Sequence, residues 1–157
     1  MSRESSNSED IIDSRDVIKR IEELEEERQD LVDELQEAQE EYDTSEEDGE
    51  YGAAEEEALK TAVQRLRVWD DANEEELASL KALAEAGEDS PDWTTGETLI
   101  RESYFEDYAR ELAEDIGAIQ KDMSWPCNHI DWDAACDELK QDYIEIDFDG
   151  VTYFIRA

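Results

Sequence analysis

Positive charge is scarce in this chain. Of its 157 residues only 14 are Lys or Arg, against 49 Asp and Glu, giving a formal net charge of -35. Such an imbalance disfavours nucleic acid and anionic membrane as partners and points to a basic surface instead. It also sets compaction against self-repulsion, so the fold must bury enough apolar surface to withstand it, and salt should stabilise it. Histidine occurs once, at His129, and cysteine twice, at Cys127 and Cys136. Cys127-x-His129 with Cys136 lacks a fourth soft ligand and the paired spacing of a zinc site, so no metal and no other cofactor is expected. A loop His129 packed beside Trp132, a loop Cys127 and a small buried Cys136 account for these residues more simply, with the thiols reduced. No apolar run is long enough to span a bilayer and the N-terminus has no apolar signal core, so a soluble cytoplasmic protein is expected. A phosphate-cradling glycine loop, a nucleophile elbow and a His–carboxylate pair are all missing, and Glu55-Glu56-Glu57 lacks the glycine turn of a calcium loop. Enzymatic chemistry is therefore not expected.

What the chain has in abundance is acidic helix. Residues 1–8 are polar and Ser-rich and read as a disordered tail. From there Val17, Ile21, Leu24, Leu31, Leu35, Ala38 and Tyr42 keep steps of three and four, with Arg28 interrupting one position of the seam. Glycines and clustered acids over 44–52 mark a turn. A second run follows, with Leu59, Ala62, Val63, Leu66 and Trp69 on one side and Leu77, Leu80, Leu83 and Ala84 continuing the stripe, which favours one helix over 53–87 rather than two. Antiparallel packing buries both seams, so 9–87 is expected to form an acidic helical hairpin or coiled coil. Residues 88–97, with Pro91 and Gly96, read as a linker to a terminal unit over 98–157. The fold class expected is mainly α with a small α+β unit: the long antiparallel hairpin, then two helices and a β-hairpin.

The terminal unit has its own signals. Ser103 followed by Glu106 has the spacing of a capping box for a helix over 104–116. Phe105, Tyr108, Ala109, Leu112, Ala113 and Ile116 fall on one face of it, and Gly117 suits a left-handed C-cap. Asp131 is placed to cap a second helix whose apolar stripe is Trp132, Ala135, Cys136 and Leu139. Ile144, Ile146 and Phe148 then alternate with Glu145 and Asp147, and Asp149-Gly150 separates them from 151–155, the pattern of a β-hairpin with a tight turn.

Three segments, Tyr104-Phe105-Glu106-Asp107-Tyr108-Ala109-Arg110-Glu111-Leu112, Ile130-Asp131-Trp132-Asp133-Ala134-Ala135, and Leu139 to Tyr143 leading into the hairpin, resemble the C-terminal portion of the ArdA-type antirestriction proteins of phages and conjugative elements. The resemblance covers roughly the last third of the chain. It implies an acidic mimic of double-stranded DNA that occupies the DNA-binding cleft of a type I restriction-modification enzyme in the host cytoplasm. The mixed α/β region that precedes this portion in the family is replaced here by helices.

Elementary electrostatics is compatible with that implication. Duplex DNA presents one negative charge per ~1.7 Å of axis to the Lys and Arg of its binders, and carboxylates along helix faces can take over those contacts without offering a base to read. The acids expected to act collectively are Glu106, Asp107, Glu111, Glu114, Asp115, Asp133, Asp137, Glu138 and Asp142. Two other readings fit the composition: an acidic coiled-coil scaffold that self-associates as a homodimer through the helical region, and a mimic aimed at another DNA-handling enzyme. A high-salt habitat would also raise acidity without mimicry.

Overall fold

The computed structural model describes residues 6–47, 49 and 52–157, where two long helices, three shorter ones and four strands are formed. A strand β1 (Ile11–Asp13) leads into α1 (Ser14–Glu47), and after the turn α2 (Ala53–Gly87) runs without interruption. A short helix α3 (Trp93–Gly96), a strand β2 (Thr98–Arg101) and a 3₁₀ turn (Glu102–Tyr104) precede α4 (Phe105–Asp115). After a loop come α5 (Trp132–Leu139), a 3₁₀ turn (Lys140–Asp142) and the strands β3 (Tyr143–Phe148) and β4 (Val151–Arg156). The chain divides into two compact units, Arg20–Ser79 in one and the residues up to Lys19 with those from Leu80 onward in the other.

In the first unit α1 and α2 pair antiparallel, as the seams require. The ion pairs between them record the direction: Arg20 reaches Glu76 at 2.8 Å, Arg28 reaches Asp70 at 2.9 Å, and Glu34 accepts from Arg65. Arg28, the residue that breaks the heptad seam, thus has its own partner on the opposite helix. Two helices alone cover little of each other. Leu24, Ala38, Ala62 and Leu77 are buried, while Leu31, Leu35, Leu59, Leu66 and Trp69 remain half-buried. Val63, expected on the inner side, is exposed. Of the turn expected over 44–52, residues 48, 50 and 51 lie outside the described residues; α1 extends into it as far as Glu47, and Gly49 adopts a φ of +72°.

The second unit is organised by a four-stranded antiparallel sheet of order β1-β2-β4-β3. The C-terminal hairpin is as the sequence suggests. Asp149 and Gly150 both take positive φ, 51° and 83°, which is the combination that lets a two-residue turn follow the twist of its strands. The other two strands were not expected: β1 falls in what reads as the start of the coiled coil, and β2 follows the supposed linker. Each is too short to display a period of two, and their partners lie far along the chain. Asp13 pairs with Thr98 and Ile100 with Phe154, so the sheet is completed by residues from both ends of the sequence.

Residues 88–97 also do more than link. Trp93 is buried, and its ring lies where a Cβ on Gly87 would be. The fully buried Ser14 hydroxyl donates to the Trp93 carbonyl at 2.7 Å and accepts from the Glu97 N–H at 2.7 Å. Glu97, an acid withdrawn from solvent, accepts from the Ser90 hydroxyl at 2.7 Å and from the Thr98 N–H at 3.2 Å. The tail reading for 1–8 covers 1–5, which lie outside the described residues; beyond them, the Asn7 carbonyl accepts from Arg101 Nε at 3.1 Å.

Candidate partner-binding face

One side of the sheet is covered by α4 and α5. Ile100 and Phe154 from the strands meet Phe105 and Ala109 of α4 and Cys136 of α5, with Tyr104, Tyr108, Trp132, Leu139 and Tyr143 packed around them. Phe105 is the pivot: its ring centroid is 5.1 Å from that of Phe154 and 5.4 Å from that of Tyr143, edge to face with the latter. The Tyr108 and Tyr143 hydroxyls share a hydrogen bond of 3.1 Å, and burial raises the Tyr143 phenol well above its ordinary value. Aromatic packing of this kind fixes helices against a sheet with little slack.

Helix ends are set by local chemistry, though not always as the sequence suggests. The Asp131 carboxylate accepts from the Ala134 N–H at 3.1 Å and caps α5. Gly117, with φ +76°, closes α4: its N–H bonds to the Glu114 carbonyl and that of Ala118 to the Ala113 carbonyl, the paired bonds of a Schellman motif. The capping box at Ser103 does not form. The chain enters α4 through the 3₁₀ turn, Tyr104 occupies the cap position without a side-chain bond, and the Ser103 hydroxyl accepts from Arg101 instead.

With the apolar sides turned to the sheet, the acids face out. Glu106, Asp107, Glu111, Glu114 and Asp115 on α4, Asp133, Asp137 and Glu138 on α5, and Asp142 in the following 3₁₀ turn are all exposed. Few of them carry local attachments. Glu106 pairs with Arg110 at 3.0 Å, and Glu111 accepts from the Tyr104 hydroxyl at 3.1 Å, which raises that phenol above its ordinary value. The cations on these elements fold back onto rings: Arg110 lies 4.9 Å from the centre of Trp132, and Lys140 Nζ lies 4.9 Å from that of Phe154 and 5.2 Å from that of Phe105. Both serve the packing of the helices as well as their charge.

The residues weighed for other chemistry are dispersed. Cys136 is buried, and burial followed by the nearby Glu106 carboxylate pushes its thiol up, the opposite of a reactive thiolate. Cys127 and His129 are exposed in the loop after α4. Among the described residues no group of three or more His, Cys, Asp or Glu side chains could hold a metal ion, and no helix is long and apolar enough to cross a membrane.

The segment after α4 leaves two large apolar side chains in water. Ile116, assigned to the apolar stripe of α4, is 71% exposed, and Trp125 is 75% exposed. The helix ends before its stripe does, leaving Ile116 beyond the reach of the sheet. Its position next to Gly117 was the available signal.

No family model matches the chain, and neither curated proteins nor solved structures yield a match.

Proposed function

We propose that the protein is a non-enzymatic DNA mimic that occupies the basic DNA-binding cleft of a host defence enzyme, with type I restriction-modification as the favoured target. One observation supports this most: nine carboxylates stand exposed on elements clamped to a sheet by aromatic side chains, while Arg110 and Lys140 lie back over rings. The five acids of α4, from Glu106 to Asp115, fall within about half of its circumference and along roughly 13.5 Å, a mean step of about 3.4 Å, with Arg110 paired to Glu106 among them. A single DNA strand presents one phosphate per about 3.4 Å of axis. Lysines and arginines placed for phosphates could pair with such a row, and the rigid backing spares the cost of ordering it on binding. The protein would act in the cytoplasm of the cell whose enzyme it blocks.

The test is competition. Purified protein should displace labelled duplex from a type I restriction-modification complex at near-stoichiometric amounts, less well as salt rises. Failure to displace at any salt would remove this target.

A second reading, self-association through the helical region, is favoured by the half-buried Leu31, Leu35, Leu66 and Trp69 of the hairpin, which a second copy could cover. Sedimentation at low and high salt distinguishes a dimer from a monomeric hairpin.

A further inference from the structure

We infer that the acidic face does not bind by charge alone: Ile116 and Trp125, in the loop joining its two helices, form an apolar anchor for a hydrophobic pocket at the rim of the basic partner surface. This rests on the reading of the acidic face as a partner-binding surface. Among the described residues Ile116 and Trp125 are the most exposed of the large hydrophobic side chains, at 71% and 75%. Ile116 directly follows Glu114 and Asp115 in sequence, and the loop runs on through Trp125 to Asp131 and Asp133, so both apolar residues belong to the segment that joins the two acidic helices.

The loop is held in shape by its own backbone. The Schellman bonds at Gly117 and Ala118 turn the chain out of α4, the Asn128 N–H bonds to the Ser124 carbonyl at 3.2 Å, and that of His129 bonds to the Pro126 carbonyl at 3.0 Å.

Charge decides the occupant. A second copy would bring two such acidic faces together, and an anionic lipid surface would meet a chain of net charge -35. A basic protein surface is attracted instead. Tryptophan buried in a desolvated pocket of an interface commonly carries a disproportionate share of its affinity, because it removes a large area from water at small entropic cost. The anchor would supply a slowly dissociating contact, and the acids rapid, salt-sensitive encounter.

The experiment is the displacement of labelled duplex from the type I restriction-modification complex, run over a range of salt with wild type, Trp125→Ser, Ile116→Ser/Trp125→Ser and Trp125→Phe. All four should melt at the same temperature, since neither side chain is in the core. The double variant should need at least about tenfold more protein for half-displacement at every salt concentration, with the salt dependence unchanged, Trp125→Ser should fall between it and wild type, and Trp125→Phe should stay near wild type. Equal potency of wild type and the double variant would overturn the anchor while leaving the acidic face intact. A loss that appears only as an altered salt dependence would overturn it too, since the loop would then be acting through charge. If wild type itself displaces nothing, this target is removed, and the anchor proposed for it falls with it.

Discussion

In the sheet-bearing unit Leu99, Tyr153 and Ile155 are wholly withdrawn from water, and Phe105 and Phe154 nearly so, whereas Arg20–Ser79 buries only Leu24, Ala38, Ala62 and Leu77 among its described residues. Both regions are strongly acidic. The hairpin supplements its thin seam with cross-helix contacts such as Arg20–Glu76, Arg28–Asp70 and the Trp69 indole on Glu27, which salt and solvent weaken. The sheet-bearing unit relies on ring packing, which they do not. Acidic helices therefore come here in two mechanical grades, and only one presents its carboxylates from a fixed base.

The sharpest contrast is expected in stability. Phe105→Ala should cost about 3–5 kcal/mol, because the site is enclosed by Phe154, Tyr143 and Lys140, while Leu31→Ala in the half-covered seam should cost less than about 1.5 kcal/mol. Urea unfolding of the two variants checks this, and similar costs would abolish the distinction between the regions.

Binding should divide the same way. Replacing the nine acids of α4, α5 and the adjoining 3₁₀ turn by Lys should weaken duplex displacement by at least about twentyfold, given roughly 0.2–1 kcal/mol per exposed pair. An equal number of reversals in the hairpin, among them Glu26, Asp30, Glu37 and Asp71, changes net charge identically but should cost less than about tenfold. If the two sets weaken displacement equally, net charge and not a fixed array is what the partner reads.

Ser14→Ala should destabilise the sheet-bearing unit by about 1–3 kcal/mol, by leaving the Trp93 carbonyl and the Glu97 N–H unpaired in the interior, as thermal melts would record. Tyr153→Phe should cost about 1 kcal/mol at neutral pH through loss of the 2.6 Å bond from its hydroxyl to the Glu9 carbonyl. It has a second effect at alkaline pH. Burial pushes the Tyr153 phenol up to about 12, so its contribution is complete below its ordinary value of 10.0 and is lost as pH rises through about 12. The variant should lose less stability than wild type across that window. Arg28→Gln should have the smallest effect, within about 0.2–1 kcal/mol, and confined to the hairpin.

What could be read from the sequence was local. Asp131 caps its helix through a residue three places on, Gly117 ends α4 by its own φ, and Asp149-Gly150 turns the hairpin within two residues. Each signal and its effect are neighbours in the chain. The misreadings required distant partners: Ile12 pairs with Leu99, Ser14 bonds across to Trp93 and Glu97, and nothing near Glu97 in sequence marks it as the acid that goes inside. Ser103 and Glu106 had the right spacing for a cap but lost it to a 3₁₀ turn formed one step earlier. For the candidate face, helical periodicity placed the nine acids on the outside, yet it could not say where α4 would outrun its sheet and leave Ile116 in water.

The pairing of β1 with β2 places the whole α1–α2 hairpin between two adjacent antiparallel strands, at the position where a two-residue turn would suffice. Seen as a folding problem, the hairpin is a zipper. Closing so long a segment as a random coil would be entropically costly and slow, and any helix formed beforehand in α1 and α2 shortens the loop that the Asp13–Thr98 pairing must close. During synthesis, β1 must wait for the hairpin to be completed before its partner strand exists. For the same reason the hairpin could gain or lose matched helical turns over evolutionary time without disturbing a single rung of the sheet.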